Sequence, residues 1–264
     1  MQTQPYKAIF SDIDGTLLNS RHQITPKTEK AIKAVIQQGI PFIPVSARPP
    51  LAITPYANQL NLTNPIICYS GALVLDHDLT PLCSIAIEPD DLIKLEQHLK
   101  EVDHLSISHY AGTRWFCNRV EDQWIQQESE ITGLTASQKP AVVADVHKIL
   151  IMGTAEQIAS LEQQLKAEFP QLSIHRSKNE YLEIMNKAAT KSNAIRFMEK
   201  RLNITGDEVI AFGDNFNDLD MLEYAGLSVA MGNSPQPIKQ AAKRVTVTND
   251  EDGIALVLEE VFAL

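Results

Sequence analysis

The sequence predicts an α/β protein: a doubly wound, mainly parallel sheet carrying an inserted α+β unit. Three observations predict it. Strand–helix–strand alternation opens the chain, the same alternation returns from about Lys187 to the end, and the stretch between them mixes hairpins with helices. Parallel strands need a long crossover, which a helix supplies, whereas hairpins need only a turn. A change from one regime to the other and back reads as an insertion. The boundaries drawn this way place residues 1–85 and 187–264 in the core and residues 86–186 in the inserted unit.

The elements follow in order. "YKAIFSD" is a short buried strand. "TPKTEKAIKAVIQQG" is a helix with Thr25 as N-cap, Pro26 at the first helical position and Gly39 as its end. Ala31, Ile32, Val35 and Ile36 form its apolar face. "IPFIPVS" is the next strand, although Pro44 removes a ladder donor inside it. "PIICYSGALVLDHDLTPLCSIAI" reads as a strand and a hairpin with its turn at Asp76 to Pro81. In the insertion, "PDDLIKLEQHLKEV" is a helix with Leu92, Leu95, Leu99 and Val102 on one side. "LSISHY" and "RWFCN" are strands around the turn "AGT", and a polar helix runs from about Glu121 to Ile131. "VHKILIMG" is a strand, "AEQIASLEQQLKAEF" a helix, and "LSIHRS" and "YLEIMN" two more strands. The second half of the core reads as helix "TKSNAIRFMEKRL", strand "EVIAFGD", helix "NDLDMLEYAG" and strand "LSVAMG". It ends with helix "SPQPIKQAAKR", strand "VTVT" and helix "DGIALVLEEVF".

Composition narrows the function. A hydrophobic content of 44% over 264 residues supports a sizeable core. A net charge of −10 argues against a nucleic-acid partner, which needs a basic face. It leaves room for a small anionic substrate, because a local cation can reverse the field of one pocket. Cys68, Cys83 and Cys117 are odd in number and widely spaced, so the expectation is reduced thiols in a cytoplasmic protein. No leader is visible at the N-terminus, and no apolar stretch reaches membrane-spanning length, so no membrane partner is expected. A monomer or small homo-oligomer fits this profile.

Four places could carry chemistry, each at the carboxyl end of a strand or the start of a core helix, where open α/β sheets bind ligands. In "FSDIDGTLLNS", Asp12 and Asp14 stand two apart, so their side chains point the same way along an extended chain. Two close carboxylates raise one pKa unless a cation or proton lies between them, and such a pair suits one ionised nucleophile and one proton donor. Ser46 and Arg48 follow the second strand and can hold an anion. Lys191 follows the N-cap Thr190; a cation there opposes the helix dipole by up to about 1 kcal/mol, which a bound anion would reverse. In "GDNFNDLDML", the oxygens of Asp214, Asn217, Asp218 and Asp220 suit a hard divalent ion. Each has a bland alternative: Asp and Gly populate turns, a lysine tolerates an exposed helix start, and acids favour a first helical turn. Together they supply a nucleophile, a proton donor, anion ligands and a metal site, the inventory for phosphoryl transfer.

On "DIDGTLL", "SARP", Lys191, "GDNFNDLDML", "SVAMGNS" and "VTVTNDEDG", nearly the whole chain resembles the haloacid dehalogenase superfamily of phosphatases, and within it the Cof-type IIB subfamily with a large α/β cap. The resemblance implies a Rossmann-like core, a Mg2+ cofactor and an aspartyl-phosphate intermediate. It gives Asp12 the role of nucleophile and Asp14 that of general acid/base. It assigns Ser46 and Lys191 to the phosphoryl oxygens and Asn217 to a phosphate- or substrate-side contact. It implies metal ligation by Asp214, the Asp12 carboxylate and the Asp14 carbonyl, with Asp218 as the second acid of that loop. The cap of such proteins covers the site and helps select the leaving group, usually a phosphorylated sugar or other small metabolite. Candidate cap contacts are His109, Tyr110, Arg114, Trp115 and His147, with Arg48 nearer the core. The chain departs from the family pattern at Ala47 and Ser192, where glycine is usual, and at Ser70, where asparagine is usual. The expected activity is a Mg-dependent phosphatase of small phosphorylated metabolites. The rivals are a phosphotransferase or phosphomutase, and a non-catalytic module binding metal and phospho-ligand.

Overall fold

The structure, a computed structural model, describes residues 5–102 and 104–264; residues 1–4, part of the stretch read for a leader, lie outside it. In chain order the first elements are β1 (Ala8–Ser11), α1 (Pro26–Gln37), β2 (Phe42–Pro44), α2 (Thr54–Gln59), β3 (Ile66–Cys68), β4 (Leu73–Leu75) and β5 (Pro81–Ser84). There follow α3 (Pro89–Leu99), β6 (Ser106–Ala111), β7 (Arg114–Cys117), α4 (Gln123–Thr132), β8 (Ser137–Gln138), β9 (Lys148–Met152), α5 (Ala155–Glu168), β10 (Leu172–Lys178) and β11 (Tyr181–Asn186). The last are α6 (Lys191–Leu202), β12 (Val209–Gly213), α7 (Leu219–Tyr224), β13 (Leu227–Ala230), α8 (Gln236–Ala241), β14 (Arg244–Val245) and α9 (Gly253–Phe262). Two compact units divide the chain. One gathers the residues up to Ala47, Ile53–Leu82 and Thr190–Leu264; the other gathers Arg48–Ala52 and Cys83–Ala189.

The first unit is built on a five-stranded parallel sheet in the order β14-β13-β12-β1-β2. β1 and β12 lie inside it and are buried at every position, so they read as unbroken apolar runs rather than alternating ones. The strand–helix alternation of the sequence thus yields the doubly wound sheet it implies. α1 starts where its sequence directs: Thr25 accepts from the Thr28 N–H, and Pro26 needs no partner at the first position. Pro44 is accommodated because Val45, not Pro44, donates to the Ser11 carbonyl at 2.8 Å, and β2 ends the sheet.

Some expectations need correction. Residues 47–64, given no element from sequence, carry a short 3-10 turn at Pro50–Ala52 and then α2. The expected helix over 217–226 is divided into a 3-10 turn, Phe216–Asp218, and α7. Asp218 causes the division by folding back to accept from Asp214 and Asn215 N–H, both at 2.9 Å. Of the strand expected over "VTVT", only Val245 lies in β14; Thr246 N–H still donates to the Ala230 carbonyl at 3.0 Å and the Val247 carbonyl accepts from Gly232 N–H at 2.9 Å before the 3-10 segment Asn249–Glu251.

The second unit has a six-stranded sheet in the order β10-β11-β9-β6-β7-β8, antiparallel except for β7 with β8. One face of it, with Ile107, Ile149, Ile151, Leu182 and Ile184, packs on Leu95 and Leu99 of α3 and on Ile158, Leu161 and Leu165 of α5. Each such side chain contributes about 1.5–3 kcal/mol of burial. α5 begins with a capping box between Thr154 and Gln157. Among the described residues no helix is long and apolar enough to cross a membrane.

Candidate active site

The site forms in the first unit, beyond the carboxyl ends of β1 and β12. Asp12 directly follows β1 and donates its N–H to the Phe212 carbonyl at 3.0 Å, so the parallel pairing itself fixes the backbone of Asp12. Lys191 is the first residue of α6 and is fully buried. Its Nζ lies 2.5 Å from Asp12 Oδ1, 2.5 Å from Asp218 Oδ1 and 3.4 Å from the Val45 carbonyl. One ammonium therefore ties three strand ends, those of β1, β2 and β12, to one point. The bland reading of Lys191 as an exposed helix-start lysine is excluded by this burial.

Two close backbone approaches hold the arrangement. Gly71 has φ +103°, and a Cβ there would lie 2.1 Å from the Thr190 carbonyl oxygen, so the turn 69–71 rests directly on the start of α6. Gly15 has φ +81°, and a Cβ there would lie 2.5 Å from Asp214 Oδ2. Asp214 is thereby set against the turn that follows Asp12, where the Thr16 hydroxyl donates to its Oδ1 at 2.7 Å.

The electrostatics follow from the count of charges. Oxygens of Asp12, Asp214 and Asp218 lie within 4.8 Å of one another, and the Lys191 ammonium is bonded to two of these carboxylates, Asp12 and Asp218. Burial, then repulsion from Asp218, pushes the Asp12 carboxyl well above its ordinary range despite Lys191 beside it. Burial raises Asp214 to about 6; Thr16 and Lys191 oppose this, and Asp218 and Asp14 add to it. Burial disfavours the charge on Lys191, but Asp12 and Asp218 more than offset it and hold the ammonium above its usual range. The donor set is all oxygen and carries more negative charge than Lys191 cancels. That fits a hard divalent ion.

The remaining predicted residues lie in different settings. Asp14 is exposed, with His22 Nδ1 3.9 Å from its Oδ1. Ser46 is buried beside Val45, and its carbonyl accepts from Ser70 N–H at 2.8 Å. Asn217 is exposed on the 3-10 turn before α7. Asp220, read as a first-turn acid, accepts from Ser192 N–H at 2.7 Å and so caps α6 beside Lys191. In the second unit, Arg48 is half-buried and its Nη1 reaches the Ala52 carbonyl at 3.5 Å, while Arg114 is exposed with its guanidinium 5.4 Å from the Phe116 ring centroid. His109 is buried, with Nε2 2.7 Å from Glu96 Oε1. Tyr110 and Trp115 are likewise buried and stack on each other at 5.6 Å. His147 is buried between Ser84 and Gly112.

Sequence reasoning missed Thr16 and the turn 69–71. Thr16 was in plain view after "DIDG". The turn carries two consecutive left-handed residues, Tyr69 and Ser70, before Gly71. Such backbone is costly for non-glycine residues and concentrates at functional sites. Asparagine enters the left-handed region more readily than serine does.

The family model for haloacid dehalogenase-like hydrolases matches residues 9–258. The chain belongs to the haloacid dehalogenase-like hydrolases. A Haemophilus influenzae protein named, provisionally, as a phosphatase is 49% identical over 97% of this chain and 98% of its own. The 5-amino-6-(5-phospho-D-ribitylamino)uracil phosphatase of Bacillus subtilis is 29% identical over the full length of both chains. A sugar phosphatase of haloacid dehalogenase subclass IIB shares the fold with a TM-score of 0.83, at 23% identity over 98% of this chain and 100% of the other. This chain is accordingly a haloacid dehalogenase-like hydrolase, and several of its relatives are named as phosphatases.

Proposed function

We propose that this haloacid dehalogenase-like hydrolase is a Mg-dependent phosphatase of small phosphorylated metabolites, sugar and polyol phosphates foremost, working through an aspartyl-phosphate on Asp12. The observation that carries the reading is the buried contact of Lys191 with both Asp12 and Asp218, beside Asp214. Asp12 and Asp214 would hold the metal with the Asp14 carbonyl, while Asp218, whose oxygens are taken by Lys191 and two N–H groups, would steady the loop behind them. The ion, when bound, supplies positive charge that favours ionised Asp12 and neutralises the phosphoryl oxygens.

The residues of the chain do the rest. Asp12 attacks phosphorus through a carboxylate oxygen. As that bond forms, the bond to the leaving alcohol breaks, and Asp14 gives its proton to the departing oxygen. The Asp14 carboxylate then takes a proton from water as the water oxygen attacks phosphorus and frees Asp12. Lys191, Ser46 and Asn217 hold phosphoryl oxygens through charge and hydrogen bonds. The second unit acts as the cap, with Arg48 and Arg114 as candidate contacts to the leaving group. The polyol phosphate in the name of the Bacillus subtilis relative and the sugar substrate class of the subclass IIB fold neighbour support the substrate class.

The test is inorganic phosphate release from sugar, polyol and nucleoside phosphates, with magnesium, with a chelator, and with Asp12→Asn. Release that needs magnesium and vanishes in the variant is expected. Wild-type turnover by a pure Asp12→Asn preparation would sink the mechanism.

A further inference from the structure

The function described above leaves two sequence features unused: Asn233 of "AMGNS", and Asn249 with its neighbours in "VTNDEDG". The structure brings both to the turn that carries Asp14. That turn, 13–18, is closed internally by Leu18 N–H donating to the Ile13 carbonyl at 2.9 Å. Its two legs also expose the carbonyls of Gly15 and Leu18. Asn233 Nδ2 donates to the Gly15 carbonyl at 2.8 Å, and Asn249 Nδ2 donates to the Leu18 carbonyl at 2.8 Å. The two residues are also joined, because the backbone N–H of Asn249 donates to Asn233 Oδ1 at 3.1 Å.

The grip continues along the chain. Asp250 Oδ1 accepts from Ser20 N–H at 2.8 Å, and Asp252 Oδ1 accepts from the hydroxyls of Thr25 and Thr28 at the start of α1. Three acceptors and donors from one short C-terminal stretch thus template residues 18–28. This geometry calls for an asparagine, and not merely a small polar residue, at 233 and at 249. Each must donate through its amide, and Asn233 must accept through its carbonyl in the same pose.

We infer that Asn233 and Asn249 are positioning residues: as a two-amide clamp on Gly15 and Leu18 they set where the Asp14 carboxyl stands relative to the leaving oxygen. The inference rests on the reading of Asp14 as the proton donor. Asp14 itself is exposed, unlike Asp12, so burial contributes little to its placement and the shape of its turn contributes more. The clamp acts on Asp14's neighbour Gly15 and on Leu18 three residues further on, and the glycine at φ +81° leaves the turn little inherent preference for one shape. A displacement of about 1 Å at a catalytic group costs up to about a hundredfold in rate.

The test uses Asn233→Ala, Asn249→Ala and the double variant, with Asp252→Ala as a control that loosens the start of α1 without touching Gly15 or Leu18. Two readouts are taken. Amide hydrogen exchange across residues 13–20 asks whether the turn is loosened, and it needs no activity. Single-turnover rates with p-nitrophenyl phosphate and with an alkyl phosphate ask whether proton donation is impaired, because nitrophenolate leaves without a proton and an alkoxide does not. The expected result is faster exchange in 13–20 and a loss on the alkyl phosphate about tenfold greater than on the nitrophenyl ester. Asp252→Ala, even if it lowers the melting temperature equally, keeps the wild-type ratio of the two rates. Unchanged exchange overturns the clamp, and faster exchange with an unchanged rate ratio overturns the positioning role. A wild-type protein that turns over neither ester, or an Asp14→Asn variant with the wild-type ratio, refutes the phosphatase mechanism and its proton donor instead, and the exchange readout still decides whether the clamp exists.

Discussion

Replacing His147 by glutamine should flatten the acid limb of stability in the second unit. The His147 ring is buried; Gly112 N–H donates to Nδ1 at 3.1 Å, so the neutral ring carries its proton on Nε2, 2.9 Å from Ser84 Oγ. Protonating Nδ1 would turn an acceptor facing an N–H into a second donor. Burial pushes the pKa down to about 4, against an ordinary 6.5, with Asp145 opposing. The sign follows from linkage. Between pH 6.5 and 4 the unfolded chain binds this proton and the folded chain does not, so stability is whole above pH 6.5 and falls as pH drops to 4. About 2.5 units at 1.36 kcal/mol each gives roughly 3 kcal/mol. Urea unfolding at pH 8 and pH 4, followed by tryptophan fluorescence, reports the unit directly, since both tryptophans, Trp115 and Trp124, belong to it. Glutamine keeps an acceptor for Gly112 and cannot titrate. The difference between wild type and variant should shift by about 3 kcal/mol across that range, in favour of the variant at low pH. Parallel pH dependences would show that His147 is not held neutral.

Three further outcomes are expected. Lys191→Met leaves the buried Asp12 and Asp218 carboxylates without their counter-charge and should lower unfolding stability by about 3–5 kcal/mol, read by urea titration; a loss under about 1 kcal/mol would contradict the burial argument. Magnesium at a hundred times its dissociation constant should stabilise the wild type by about 2.7 kcal/mol, and Asp214→Asn should abolish the shift in a thermal melt while chelator has no effect on that variant. Ser70→Asn should raise stability by up to about 1 kcal/mol by relieving the left-handed backbone at φ 52°, and a neutral or lower melting temperature would count against strain there.

Much of the fold was legible because the information is local. The apolar runs that became β1 and β12, the Thr25–Pro26 start of α1 and the Thr190 cap of α6 each announce themselves within a few residues. The meeting of Asp12, Lys191, Asp214 and Asp218 is legible for a further reason: each stands at a strand end or helix start, and parallel strands bring their carboxyl ends to one side. What was not legible depends on distant partners. Pro44 is harmless because Val45 makes the bond to the Ser11 carbonyl, and "VTVT" continues past β14 only through single bonds to residues 230 and 232. His109 looked available until Glu96, thirteen positions earlier on a helix, took its ring. Asn233 and Asn249 stand in motifs of the family pattern, but nothing local announces their bonds, since their acceptors lie 218 and 231 residues away.

The register of β1 against β12, Ala8 opposite Val209, has a consequence for the order of events during synthesis. β1 leaves the ribosome first and then waits for a neighbour some 200 positions behind it, about 10–40 s at ordinary elongation rates. The second unit, continuous from Cys83 to Ala189 apart from one short segment, can complete its own sheet during that delay. The strand that leads into Asp12 is therefore among the first made and among the last to be enclosed, and the cluster of Asp12, Lys191, Asp214 and Asp218 closes only when translation is almost finished.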